Sequence, residues 1–474
     1  MKIVIFGTGS SSDKFLANLN MNEVEIICFL DNNVAVQFTE FRGIPIFPPS
    51  HIQNFEFDYV FIASQYSIEI LQQLLALNVP YHKIVPTDYN HHINENRALY
   101  QEVLSKVILN HTNVKENRTK LKIAIVNSNF SSSNGYSLYK YIPEYIIDKY
   151  EVDLLDNNSP VNLKGYDVIC SSSHEGIYDN QHINIELWHG FPIKRMGVMH
   201  EEWATEKFLK YQLHRSKNIH LILSYSHLYT TFFNACFPHD SNKYRITGMP
   251  RNDLLFEPGS QNKLEKICRK DLSSYQIVYY FPTWRKGKNE RVDSTKEWNY
   301  IFGFLDESTE ELINFVESNN IFLVVKLHPF EYNDYKNKEI FKHEQIFLLS
   351  EEILASQQVH LYELLSCSKV LITDYSSIFF DTLLLDIPVL FAPINLDEYS
   401  EKRGFLLQPY DYLTPGPTVL SFKDLKAELL MYLKGHDRFK DERERVRKLV
   451  FQFTDNKSSV RAWAEIDKYL SSSH

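Results

Sequence analysis

Val370-Leu371-Ile372-Thr373-Asp374-Tyr375-Ser376-Ser377-Ile378-Phe379-Phe380-Asp381 is an apolar run that stops at Thr-Asp, a short polar turn, and a second apolar stretch at helical spacing. Residues 370–373 read as a buried parallel strand and 377–385 as the helix that follows it. Strand, tight turn and helix in that order form the repeating unit of a doubly wound α/β fold. The first-turn N–H groups of such a helix, with the hydroxyls of Thr373, Ser376 and Ser377, suit an anion. A serine that merely caps the helix explains the same residues. The two readings are compatible, because a cap uses only some of the first-turn donors. Asp381 stands four residues beyond Ser377 on the same helix side, where it would face a ribose or base.

The same alternation recurs upstream. Ile277-Val278-Tyr279-Tyr280-Phe281 and Ile321-Phe322-Leu323-Val324-Val325-Lys326 read as strands, with a helix over Thr309–Ser318 between them and a strand at Val389–Phe391 after the quoted run. Strands at 121–126, 152–155, 166–170, 185–188, 219–224 and 244–247, with a helix over 138–147, make an earlier α/β unit. A final helix over 459–470 would pack back across the join, and two such units in tandem give a GT-B-like architecture, whose site lies beyond the carboxyl ends of strands.

A third module opens the chain. Lys2–Phe6 is a strand, Gly7-Thr8-Gly9-Ser10 a turn, 14–19 a helix, and Glu25–Leu30 a strand ending in Asp31, followed by another at 59–63. Gly7 and Gly9 near a pyrophosphate with Asp31 on a ribose is one reading. The third glycine of that fingerprint is absent, since Ser12 stands in its place, so a Rossmann-like module without a cofactor is the preferred one. The expected segments are therefore a Rossmann-like domain at 1–90, a polar helical linker at 91–120, an α/β domain at 121–272 and a second α/β domain at 273–474.

Composition narrows the class. With 44% hydrophobic and 23% charged residues the 474-residue chain is globular, and its formal charge of −10 argues against a nucleic-acid partner. The five cysteines are scattered without a CxxC pair, which implies reduced thiols in a cytoplasmic protein and no metal site. The sequence shows no signal peptide at its start, and no stretch approaches the roughly 20 apolar residues of a membrane span.

Chemistry gathers at strand ends. His328 closes the 321–326 strand, ahead of Pro329, and can donate to phosphate oxygen or protonate a leaving group, although a lone histidine there is more often structural. A second strand end repeats the pattern in Trp188-His189-Gly190-Phe191-Pro192-Ile193-Lys194-Arg195: His189 suits a general base, and Lys194 and Arg195 would draw an anionic acceptor. Two further turns fit phosphate, one carrying Arg251 and Asn252 in Gly248-Met249-Pro250-Arg251-Asn252-Asp253, the other Thr283 and Arg285 in Pro282-Thr283-Trp284-Arg285.

In their order and spacing these segments, with Lys326-Leu327-His328-Pro329-Phe330, Thr373-Asp374-Tyr375-Ser376-Ser377, Asp381 and Arg403-Gly404-Phe405, resemble the CDP-glycerol glycerophosphotransferase family of teichoic-acid primases and polymerases and related capsule polymerases. The resemblance runs from about residue 121 to the end. It implies a metal-independent GT-B transfer of a polyol phosphate, with no cofactor, from a CDP-activated donor to a hydroxyl of a lipid-linked or polymeric acceptor. In that scheme His189 is the base, His328, Arg285, Ser376 and Ser377 face the pyrophosphate, and Asp381 faces the nucleotide. Where the family usually carries threonine this chain has Phe191, a departure on the acceptor side. A lipid-anchored acceptor would place the protein peripherally on the inner face of the cell membrane, and the basic stretch 207–217 suits such a surface. The competing readings are a GT-B glycosyltransferase using a nucleotide-sugar and a non-catalytic nucleotide-binding or regulatory protein.

Overall fold

The computed structural model describes residues 1–64, 66–87, 103–104, 107, 119–127, 129–156, 163, 165–172, 182–201, 204–283, 300–328, 331–332 and 335–472. Most of the expected 91–120 linker lies outside the described residues, as do Trp284, Arg285, Pro329 and Phe330. Contacts divide the chain into two compact units: Met1–Val126 with Lys149–Asn184, and Asn127–Asp148 with Ile185–His474.

In the first unit, apolar residues that alternate sides along β1 (Lys2–Phe6), β2 (Glu25–Leu30) and β5 (Tyr59–Ile62) make the centre of a sheet covered on both faces. With β3 (Glu40–Phe41), β4 (Ile44–Phe47) and β6 (Ile84–Pro86) the order is β3-β4-β2-β1-β5-β6, parallel except for the β3–β4 pair. Ile3, Ile5, Phe29 and Phe61 line one core and Val4, Phe6, Val60 and Ile62 the other. The unit also holds β7 (Leu121–Asn127), β8 (Tyr150–Asp156) and β9 (Val168–Ser171), with β7 between the other two.

The second unit carries the end of β10 (Ile183–Glu186), β11 (Ile219–Ser224) and β12 (Tyr244–Ile246), and a five-stranded parallel sheet. That sheet is built from β13 (Gln276–Phe281), β14 (Ile321–Val325), β15 (Ile346–Leu348), β16 (Val370–Thr373) and β17 (Val389–Phe391) in the order β15-β14-β13-β16-β17. β13, β14 and β16 are central and almost wholly buried, and their carboxyl ends deliver Thr283, His328 and Asp374 to one edge of the sheet.

The final helix (Ser458–Ser472) does pack back on an earlier segment. Asp253 accepts the N–H groups of Ser458 and Ser459 at 2.9 and 2.7 Å, and the Trp463 indole donates to the Leu138 carbonyl at 2.9 Å. These ties draw 127–148 and 250–256 into one unit with the C-terminal sheet, so the grouping does not follow the sequence boundary at 272. The expected 138–147 helix is two helices, Asn134–Lys140 and Glu144–Lys149, because Pro143 has no N–H to continue the ladder.

Candidate active site

β10 ends at Glu186, earlier than the sequence pattern implied. Glu186 Oε1 accepts the Trp188 N–H at 2.7 Å, which folds the chain back on itself. Trp188 adopts φ +49°, a left-handed conformation that costs a bulky residue free energy. His189 then projects as an exposed side chain, its ring stacked on the Trp188 indole at 4.2 Å and 28°. At Gly190, an added Cβ would stand 2.8 Å from Ser377 Oγ, so the histidine turn and the serine side chain approach closely across a residue without a side chain.

Beyond Pro192 the chain runs as a short ribbon beside Arg403-Gly404-Phe405. Arg195 N donates to Gly404 O at 3.1 Å, Leu406 N to Ile193 O at 2.9 Å, and Lys194 bridges to Phe405. Gly404, at φ +69°, makes room for the Arg195 side chain, whose guanidinium meets Glu201 at 2.9 Å. The Lys194 ammonium lies 5.6 Å from the centre of the Tyr399 ring, and Tyr399 stacks on Tyr375 at 3.8 Å and 8°. Lys194 also lies close enough to His328 for its charge to act there. It therefore sits near His328, a group expected to face the donor pyrophosphate.

His328 is half-buried, and burial, followed by the charges of Lys326 and Lys194, lowers its pKa to about 4. At neutral pH it is an uncharged imidazole that can donate one hydrogen bond. Burial also lowers the pKa of Lys326, against the opposing pull of Glu351 at 3.8 Å. The Glu351 carboxylate accepts the N–H groups of Phe130 and Ser131 and the Ser131 hydroxyl.

Ser376 and Ser377 are both partly exposed. The short helix after them (Ile378–Thr382, continued by a 3-10 turn at Leu383–Leu385) takes no side-chain cap from Ser377, so the capping reading is not what the structure shows. Two expected ligand groups have other work. Thr373 is fully buried and its hydroxyl donates to Phe281 O at 2.7 Å, because β16 pairs with β13 at that register. Asp381 is 0% exposed and does not face a ligand. It accepts Tyr225 OH at 2.8 Å, Tyr362 OH at 2.6 Å and the Arg251 guanidinium at 2.6 Å.

Arg251 is the other half of that buried pair, with 4% of its side chain exposed. It donates to His189 O at 2.5 Å and to Tyr225 OH at 3.1 Å, and its guanidinium lies 4.7 Å from the centre of the Tyr362 ring. Burial opposes its charge, yet Asp381 holds it protonated. Burial likewise raises Tyr225 and Tyr362 well above the usual phenol range, so both remain donors. Asn252 is buried beside it, and its Oδ1 has no hydrogen-bond partner among the described residues. Thr283 is buried too: its N–H donates to Asp374 at 2.8 Å, and its hydroxyl lacks a partner among the described residues.

Phe191 is 1% exposed and packs on Phe380 at 4.5 Å and on Tyr225, Tyr229 and Phe232 near 6 Å. The departure at this position therefore fills an aromatic core instead of lining an acceptor surface. In the first unit, both oxygens of Asp31 are engaged locally, by the Thr8 hydroxyl at 2.6 Å and the Asn33 N–H at 2.9 Å. Gly7 N donates to Leu30 O, Gly9 O accepts the N–H groups of Ser12 and Asp13, and the Ser12 hydroxyl donates to Gly7 O at 2.7 Å. Among the described residues, no group of three His, Cys, Asp or Glu side chains is gathered as a metal would need.

Sequence reasoning gave no role to Asn134, Tyr225, Tyr362 and Tyr399. Tyr225 directly follows the end of β11, a strand-end signal of the kind used for the histidines. Nothing in the local sequence marks the other three.

A family model described as CDP-Glycerol:Poly(glycerophosphate) glycerophosphotransferase matches residues 168–468, and a second, C2185-like N-terminal, matches residues 1–85. Teichoic acid ribitol-phosphate polymerase TarL of Staphylococcus aureus is 25% identical over 273 residues, 55% of this chain and 45% of that protein. A teichoic acid poly(glycerol phosphate) polymerase of Staphylococcus epidermidis is 26% identical over 366 residues, 69% of this chain and 48% of that one. The chain thus spans about half the length of these relatives. The solved wall teichoic acid polymerase TagF superposes with a TM-score of 0.57 at 22% identity, covering 75% of this chain and 90% of the other. The shared fold is the GT-B-like α/β architecture expected from the strand–turn–helix pattern.

Proposed function

Because the chain belongs to the CDP-glycerol:poly(glycerophosphate) glycerophosphotransferase family, we propose that it transfers a polyol phosphate from a CDP-activated donor to a hydroxyl of a teichoic-acid-type or capsular polymer, releasing CMP. Glycerol phosphate is the first candidate for the group moved. The observation that carries the reading is the close approach of the His189 turn to the Ser377 side chain, across a glycine that puts no side chain between them.

In this reading His189 accepts the proton of the acceptor hydroxyl, whose oxygen forms a bond to the β-phosphorus of the donor. The bond from that phosphorus to the bridging oxygen breaks, and the electron pair leaves with CMP. Ser376, Ser377 and neutral His328 donate hydrogen bonds to pyrophosphate oxygens, and Lys194 supplies positive charge beside them. Arg285 is assigned to the same anion on sequence alone, since it lies outside the described residues. Arg251, Asp381 and Thr373 hold the frame and do not touch substrate.

Purified protein incubated with CDP-glycerol, CDP-ribitol and a set of nucleotide-sugars, with released nucleotide identified, tests the proposal. CMP release from a CDP-polyol, lost in His189→Ala, is expected. NDP release from a sugar donor with none from the CDP-polyols would replace the reading with glycosyl transfer.

Peripheral attachment to the inner membrane face belongs to the same proposal. No helix among the described residues is long and apolar enough to cross a membrane. The helix Glu206–Ser216 leaves Leu209 and Leu213 exposed one turn apart, alongside Lys210. Binding to anionic liposomes at low salt is the expected result, and full recovery in the supernatant would count against it.

A further inference from the structure

The backbone that carries His189 is held from three sides. Trp188 sits at φ +49°, a conformation a bulky side chain keeps only where its surroundings over-determine it. Glu186 holds its N–H. Arg251 holds the following carbonyl, that of His189. Between them, the Asn134 amide donates to Leu187 O at 3.1 Å and to Trp188 O at 2.7 Å, while its oxygen accepts the Arg251 N–H at 3.0 Å. Asn134 is 0% exposed, so none of its bonds is exchanged with water.

We propose that Asn134 is a positioning residue for His189, fixing the strained turn from which the imidazole projects and tying it to the Arg251 segment. The inference rests on the reading of His189 as the base. One planar amide satisfies two carbonyls and one N–H, and no other side chain of its size offers donors and an acceptor in that arrangement. A carboxylate of the same shape would still accept from Arg251 N but would face the two carbonyls with lone pairs. The turn would then relax, and the Trp188 indole, braced by Phe233 at 4.9 Å and Phe237 at 5.4 Å, would no longer lie over the imidazole.

The test compares wild type, Asn134→Asp, Asn134→Ser and His189→Ala as full-length protein. CMP release from CDP-glycerol and CDP-ribitol gives kcat and KM, calorimetry gives CDP affinity, and selectively labelled histidine gives the ring-proton shift of His189. The stacked indole moves that signal upfield in wild type. Both Asn134 variants are expected to lose turnover by about 10- to 100-fold, since small misplacements of a reacting group cost that much. CDP affinity should hold, and the His189 signal should move toward its unstacked position. Loss of CDP affinity in step with turnover, or reduced turnover with the His189 signal unmoved, would overturn the role. So would unchanged turnover in Asn134→Ser. Failure of the parent reading looks different: wild type would release no CMP from either donor, or His189→Ala would be fully active.

Discussion

Changing Asp381 to asparagine separates a brace from a ligand contact. The carboxylate is 0% exposed and receives three donors on two oxygens, one of them the guanidinium of Arg251 at 2.6 Å. An amide keeps the volume but removes the charge and replaces one acceptor with an NH2 that cannot receive a bond from arginine. The tyrosine hydroxyls can turn toward the remaining oxygen, whereas the guanidinium, 4% exposed, is left buried without a counter-charge. Breaking a buried pair from one side costs about 3–5 kcal/mol, and the retained amide oxygen puts the expectation near the lower end, about 3 kcal/mol. Urea unfolding followed by tryptophan fluorescence should show that loss as a lower midpoint with an unchanged slope. CDP affinity of the folded variant should match wild type. Replacing both partners, Arg251→Met with Asp381→Leu, strands no charge and should cost much less than the single change. If Asp381→Asn leaves the midpoint in place and weakens CDP binding, the residue faces the ligand and the brace is refuted.

Phe191→Thr should lower stability by about 3 kcal/mol, within the range for truncating a buried aromatic, and leave the acceptor KM unchanged. A changed acceptor KM at unchanged stability would return the position to the acceptor surface. His239, 8% exposed, is held near pKa 3 by burial and by the charges of Lys243 and Arg215, with its Nδ1 2.8 Å from Ser216 Oγ. The folded pKa lies below the unfolded value of about 6.5, so its contribution is complete above pH 6.5 and is lost as pH falls toward 3. At pH 4.5 the loss is on the order of 3 kcal/mol. Urea midpoints at pH 7.5 and 4.5 should therefore fall less in His239→Gln than in wild type, and equal falls would contradict the assignment.

The elements set by local pattern were legible. The Thr309–Ser318 helix and the strands Val370–Thr373 and Val389–Phe391 lie where period and turn residues placed them. Asp381 shows where that logic stops. Helical spacing gives the side of the helix, but what covers that side comes from Tyr225, 156 residues away, and Arg251, 130 away. Thr373 misled for a related reason: a hydroxyl at a strand end looks available until the neighbouring strand supplies a carbonyl at its register. The two histidines stand three residues past the ends of β10 and β14, places that strand-to-turn patterning marks in the sequence whatever packs elsewhere. Asn134 was not, since its value lies entirely in three backbone groups brought to it by the fold.

The buried Arg251–Asp381 pair makes sense as geometry more than as stability. An apolar pair of similar volume would avoid the desolvation of two charges, so nothing in the energetics of folding requires the ions. What methionine and leucine cannot do is direct several hydrogen bonds at fixed angles. The guanidinium reaches the His189 carbonyl, the Tyr225 hydroxyl and the Asp381 carboxylate together, joining chain segments 62, 26 and 130 residues away. Asp381 is held by Tyr362 as well, and through Arg251 the helix carrying it is tied to the turn carrying His189. The groups left partly or wholly exposed beside this frame are two histidines, two serines and Lys194, and of the histidines burial keeps His328 uncharged at physiological pH. That division suits phosphoryl transfer: a base must be uncharged to take a proton, and an anionic donor needs oriented hydrogen bonds more than fixed counter-ions. The double variant that keeps the fold by removing both charges should therefore still lose turnover, because the carbonyl of His189 no longer has its arginine.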